Sequence, residues 1–251
     1  MPRLPHRDFF SIIGSLTGIT LLAWYYLIIM ATDMNAMASM PNMPLPLWDF
    51  RYFLLMFFMW AIMMIGMMLP SVVPTVLIYA SIARKARKDG ASIASTGFFV
   101  AGYLAMWIVF SLFATCLQWA FDELGLLSPM MMANNALFGA TLLILTGIYQ
   151  CLPIKDACLH QCRSPIEFFR DHWRKGNQGT FLMGMHHGLF CVGCCWVLMG
   201  LLFFGGVMSL LWIAAITIFV LLEKVLPFGA IGGKIMGLLM IFSGLGTLYF
   251  L

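Results

Sequence analysis

Residues 181–205 read FLMGMHHGLFCVGCCWVLMGLLFFG, an apolar run without Asp, Glu, Lys or Arg. A hydrocarbon core about 30 Å thick takes roughly 20 helical residues at about 1.5 Å each, so the run is long enough to cross a membrane. Two adjacent histidines, His186 and His187, and three cysteines, Cys191, Cys194 and Cys195, are poor choices for a helix that only has to face lipid. Fold and function meet in this one segment.

The same composition recurs outward from it. The chain of 251 residues is 62% hydrophobic and 10% charged, against about 25% charged in a globular domain, which excludes an ordinary soluble protein. Apolar spans read at about 9–30, 51–80, 93–120, 129–151, 181–205, 208–226 and 231–251. The first is too long, and is followed by too much membrane sequence, for a cleaved signal peptide. The sequence therefore predicts an all-α, polytopic transmembrane helix bundle of seven spans, or six if the last segment is re-entrant. Residues 1–251 form one integral membrane domain, with an outer Met-rich loop at 31–47 and a Cys-containing cytoplasmic loop at 152–180. Pro70 and Pro74 interrupt span two, where each removes an amide donor; a kink is expected, with the freed carbonyls buried in protein.

Charge sets the orientation. Arg84, Lys85, Arg87 and Lys88 lie between spans two and three, and Lys155, Arg163, Arg170, Arg174 and Lys175 between spans four and five. The positive-inside rule makes both segments, and the amino terminus with Arg3 and Arg7, cytoplasmic. The opposite side carries Asp33, Asp49, Asp122 and Glu123, with Trp24, Tyr26, Trp48, Tyr52 and Trp119 as an outer aromatic belt. Topology alone accounts for the basic loops, so no nucleic-acid partner is implied; the lipid bilayer is. A short helix opening at Ser164–Pro165 would turn Ile166, Phe168, Phe169 and Trp173 toward the membrane surface.

Met183, His187, Cys191, Cys195 and Met199 follow one another at intervals of four and form one slowly turning stripe on span five, with Cys194 beside it and His186 pointing elsewhere. Thiolate, thioether and imidazole are metal ligands, and sulfur donors prefer soft ions such as Cu(I). Span two offers Met56, Met59, Met63 and Met67 on one side. Helical rise puts Met63 at about the depth of Cys191 and Cys195, so a mid-membrane site between spans two and five is expected. A bare charge in hydrocarbon is costly, so ion and ligand charges must nearly cancel. Both Cu(I) with one thiolate and Zn(II) with two meet that condition; the thioethers favour copper over zinc. The bland readings are that Met fills apolar gaps and that buried cysteines are inert.

Cys158 and Cys162, four apart in the cytoplasmic loop, form a second thiol pair ahead of span five, and Met34, Met37, Met40 and Met43 recur every three residues outside. Glu223 and Lys224 close span six, as a snorkelling lysine with its partner or as a carboxylate that takes a proton or an ion. Gly184 and Gly188, and Gly233 and Gly237, are spaced for close helix packing. Nothing reads as a nucleotide loop, a Ser-His-Asp set or a paired-carboxylate hydrolase.

The stretches CLPIKDACLHQCRSP, MGMHHGLFCVGCCWVLM and FVLLEK, with WAIMMIGMMLPSVVP upstream, resemble the bacterial family known as domain of unknown function 2182, over about Trp48 to Tyr249. That resemblance implies a metal-binding protein of the bacterial inner membrane and carries over Cys158, Cys162, His187, Cys191, Cys194, Cys195 and Glu223 as metal candidates. Beside them stand Met63, Met67 and Met183 from the stripes. Three functions compete: a Cu(I)-handling protein that moves the ion or loads a metalloprotein partner, an accessory subunit of a larger membrane complex, and a thiol-redox protein. The last lacks an outer-side cysteine for a periplasmic substrate.

Overall fold

The computed structural model describes residues 5–38, 48–88, 95–128 and 130–249. Among them the chain is helical, with only an isolated bridge between Leu127 and Ala133. The order is α1 (His6–Ala38), α2 (Phe50–Lys88), α3 (Thr96–Glu123), α4 (Ala136–Cys151), α5 (Pro153–Arg163), α6 (Pro165–His172), α7 (Gly176–Gly200), α8 (Leu202–Gly205), α9 (Leu210–Val225) and α10 (Gly229–Tyr249).

This is a polytopic transmembrane bundle. Among the described residues, five helices are long and apolar enough to cross a membrane, and six if α4 and α5 form one span bent by 65°. The seven full spans read from the sequence reduce to this number because α4 and α9 hold 16 residues each. That is about 24 Å of rise, short of a full hydrocarbon core. Both nevertheless run from one end of the bundle to the other. At the acidic end Ala133 N donates to Phe203 O and Val207 N to Met131 O; at the basic end Arg163 donates to Leu226 O and Pro227 O.

The centre is a ladder of helix pairs: α1 on α2, α2 on α3, α3 on α7, with α4 packed on α10 as a flanking pair. Glycine sets the closest approach, since a methyl group on Gly184 would stand 3.0 Å from Tyr103 N, and one on Gly188 3.0 Å from Tyr103 O. Gly237 of α10 meets Gly147 O of α4 in the same way, at 2.8 Å. Exposed Leu22, Phe113, Leu211, Leu239 and Phe242 clothe the outside as lipid requires.

α2 remains one helix through both prolines. Pro70 has no N–H to offer Gly66, and the Gly66 carbonyl instead accepts the indole N–H of Trp24 at 3.3 Å. A freed carbonyl is thus satisfied within the protein, and Trp24 belongs to the bundle rather than to the outer belt. Trp48, Tyr52 and Trp119 do gather at the acidic end, where Trp48 donates to Asp122 (2.5 Å) and Trp119 to Glu123 (3.3 Å).

Two expected loops differ from their readings. α1 continues to Ala38, so the first part of the Met-rich segment is helical, and residues 39–47, with Met40 and Met43, lie outside the described residues. The 152–180 segment is two helices packed into the bundle, Pro153 and Pro165 each opening one where a missing N–H costs nothing. Ser164 stands at the start of α6 but its side chain makes no capping bond. Nor does α6 lie on a membrane surface: Phe168 and Phe169 are buried, Phe169 against Tyr79 and Phe99, and Phe168 against His187. Aromatic area of this size gains more from the core than from the interface.

Candidate metal centre

Cys191 is the hub. Its sulfur stands 2.8 Å from Lys224 Nζ of α9 and 3.0 Å from the Tyr103 hydroxyl of α3. Cys162 of α5, which packs on α7, lines one cavity with Lys224 and lies within electrostatic reach of Cys191 and Cys194. The Cys194 and Cys195 thiols point to the Cys191 carbonyl at 3.1 and 2.8 Å. Cys191, Cys194 and Cys195 are each no more than 1% exposed. In so dry a setting a thiolate needs a neighbouring cation, and the Lys224 ammonium, also held by Ser71 Oγ at 3.2 Å, is that cation.

Four helices build this point. α7 supplies three thiols and His187 from one stripe. α3 brings Tyr103 because Gly102, Gly184 and Gly188 let its backbone touch α7. α5 turns off α4 at the 65° bend and packs on α7, bringing Cys158 and Cys162 alongside the helix that carries the other three thiols. A methyl on Gly193 would stand 2.9 Å from Cys158 Sγ, so Cys158 lies at the same crossing. α9 closes the site, and α2 reaches it mainly through α3 and α9, touching α7 where Tyr79 meets Thr180 at 3.1 Å. The α7 thiols expected to face span two lie nearest Tyr103 of α3 and Lys224 of α9, with Cys158 and Cys162 of α5 packed alongside.

Consecutive residues of α9 hold both thiol-bearing helices. Lys224 touches Cys191 of α7, while the Glu223 carboxylate is ion-paired with Lys155 of α5, which also bonds Gln150 of α4. Arg163, at the far end of α5, donates to Leu226 O and Pro227 O at 2.6 and 2.7 Å. α5 is thus stapled at both ends to residues 223–227. Glu223 and Lys224 do not pair with each other or snorkel; both are buried.

His187 is 2% exposed among the rings of Phe99, Tyr103 and Phe168, and its Nδ1 has no hydrogen-bond partner among the described residues. A buried imidazole nitrogen without a partner is costly as it stands and is open to a ligand. His186 stacks on Phe190 and meets His172 edge-on, away from the thiols. Met183 is buried, with its sulfur accepting the Arg174 N–H at 3.1 Å. Met63 and Met67 are buried on α2. The level of α2 that meets Cys191 is that of Met68 and Ser71, whose carbonyl and hydroxyl touch Tyr103 and Lys224. Met63 lies about 8 Å nearer the acidic end.

Among the described residues no three His, Cys, Asp or Glu side chains already stand in ligand geometry around one point. Rotation of the Cys194 and Cys195 thiols off the Cys191 carbonyl is required to bring sulfurs together. A cavity of about 680 Å³ reaches the cluster from the basic end, lined by Cys162 and Lys224 inside and by Ile166, Glu167 and Arg170 at its mouth.

Tyr103, Ser71 and Lys155 were missed by sequence reasoning. A single buried lysine in an apolar helix is the one legible signal among the site's partners, since intramembrane charge is functional by default.

The fold and this interior define a multi-span membrane protein with a thiol-rich centre. The chain matches the PpoB2 family, described as copper chaperone, over residues 57–247, and belongs to it. No curated protein and no solved structure matches it.

Proposed function

We propose that the protein carries Cu(I) as cargo at the α5–α7 thiol cluster and passes it to a metalloprotein partner. The observation that carries this reading is the Lys224 ammonium 2.8 Å from Cys191 Sγ among three buried α7 thiols, with Cys162 of α5 lining the same cavity as Lys224. Two thiolates and one Cu(I) leave a net charge of −1, which Lys224 cancels; two thiolates and Zn(II) are neutral already, and Lys224 would then stand uncompensated. For a two-thiolate site the lysine thus favours Cu(I) over Zn(II). Soft sulfur donors and the orphaned His187 nitrogen favour the same ion. Cys194, Cys195 and His187 complete the coordination as the ion arrives, with Cys158 and Met183 at the rim. Cys162, at the inner wall of the basic-end cavity, exchanges the ion with a thiol-bearing carrier, one soft donor replacing another without release of a bare ion. Glu223 positions α5 and is not a ligand in this reading. The excess of Lys and Arg at the cavity end favours a cytoplasmic opening, in what the family resemblance implies is a bacterial inner membrane.

Elemental analysis of the detergent-purified protein tests this. About one copper per chain is expected after Cu(I) loading and dialysis, and none in the Cys162→Ser/Cys191→Ser variant. Equal copper in both, with both folded, clears the cluster of the role; copper in neither moves the weight to the accessory-subunit reading.

A further inference from the structure

A second set of soft donors lies at the opposite end of the bundle, and none of it belongs to the thiol cluster. Gln118 of α3 is 1% exposed. Its Nε2 stands 3.5 Å from Met56 Sδ of α2 and 3.3 Å from Met131 Sδ in the segment between α3 and α4. Its Oε1 accepts the Trp60 indole N–H at 2.6 Å. Thioethers are weak acceptors, and a buried primary amide ordinarily finds oxygen. Here two sulfurs from separate segments instead converge on one N–H₂ group.

Met131 reaches that position at a cost. It is the one non-glycine residue with positive φ among the described residues, at 54°, a region its β-carbon disfavours. The strained turn is fixed on both sides, by Met131 N to Ser128 O at 2.8 Å and by Val207 N to Met131 O at 3.3 Å. The consequence is a 6% exposed side chain turned inward to Gln118. One turn further along α3 stand Asp122 and Glu123, whose hydrogen-bond partners Trp48 and Trp119 are neutral, so their negative charge remains to offset a cation.

We infer that Met56 and Met131 form a thioether site for a soft monovalent cation, with the Gln118 amide standing where the ion binds and turning aside to admit it. Both ligands are neutral, which suits Cu(I) and excludes hard divalent ions. The site is distinct from the thiol centre: Gln118 lies about 22 Å along α3 from Tyr103. Between the two run buried Met59, Met63 and Met67 on α2 and Met199 and Cys195 on α7, so soft donors connect the ends of the bundle. Only the identity of the ion rests on the copper reading above; the site itself does not.

Ag(I), a soft monovalent probe that does not change oxidation state, tests it on the full chain in detergent. The Cys162→Ser/Cys191→Ser/Cys194→Ser variant is expected to retain about one Ag(I), bound through sulfur by X-ray absorption. Adding Met56→Leu and Met131→Leu, which conserve volume, should abolish it. No Ag(I) in the triple variant, or binding unmoved by the two leucines, overturns the site while leaving the thiol centre to its own Cys-dependent uptake. In the unaltered protein, Ag(I) should also protect Met131 from peroxide oxidation by mass spectrometry; equal oxidation with and without Ag(I) overturns the site without any variant.

Discussion

Lys224 Nζ and Cys191 Sγ meet at 2.8 Å inside a helix bundle, an ammonium against the sulfur of a cysteine that is 1% exposed. Removing one member of a buried charged pair is worse than never having had it. In the Lys224→Met variant the proposed bis-thiolate copper site would carry an uncompensated negative charge. Cu(I) affinity, measured by competition with a chromogenic chelator, should fall at least about tenfold, or about 1.4 kcal/mol. Unchanged affinity would mean that Lys224 takes no part in the charge balance.

The Lys155–Glu223 pair should behave differently from its parts. Glu223→Gln leaves a buried ammonium without its carboxylate, at a cost of about 3–5 kcal/mol. The Lys155→Met/Glu223→Leu double variant removes both charges and should recover most of that stability. Thermal unfolding in detergent checks the order: wild type and double variant close together, each single variant well below. Copper loss in the single variants that returns in the double would show that Glu223 acts by holding α5 rather than by binding metal.

Periodicity and composition carried the bundle, the packing glycines, the buried stripe of α7 and the ends defined by charge. They did not carry the bend at Leu152. A Cys-bearing segment with little apolar periodicity reads as a loop until Lys155 and Arg163 are seen to bind residues 223–227. The hydrogen-bond partners of Cys191 from other helices, Tyr103 of α3 and Lys224 of α9, lie 88 and 33 positions away along the chain, and no local pattern links them. Helical rise ranked depths along a single helix well enough, but which helices are close neighbours is a property of packing, and α3 packs on α7 far more extensively than α2, which reaches it at Tyr79–Thr180.

Gly184 offers a test of that packing. A methyl there stands 3.0 Å from Tyr103 N and closer still to the Phe99 backbone, so α3 and α7 must separate. Gly184→Ala should cost about 1–3 kcal/mol, a fall of several degrees in unfolding midpoint, and should draw Tyr103 off Cys191 with a loss of copper. Gly14→Ala on α1, where nothing lies within 4 Å of the new methyl, is the control. It should be neutral or stabilising, because alanine is the better helix former. Equal effects at both positions would show that the α3–α7 contact is looser than described.

Trp24 and Pro70 share one carbonyl. Pro70 deprives Gly66 O of its helical donor, and Trp24 Nε1 replaces it from α1 at 3.3 Å. Trp24→Phe alone strands a carbonyl in an apolar setting, at about 1–3 kcal/mol. Pro70→Ala alone restores the helical donor and makes the indole bond dispensable. In the double variant the carbonyl keeps its helical partner, so the phenylalanine should cost less there than in the wild-type background. A double-mutant cycle on unfolding free energy should return a coupling of about 1 kcal/mol with that sign. Additive effects would mean that Gly66 O does not depend on α1, and that α1 is held to α2 by apolar packing alone.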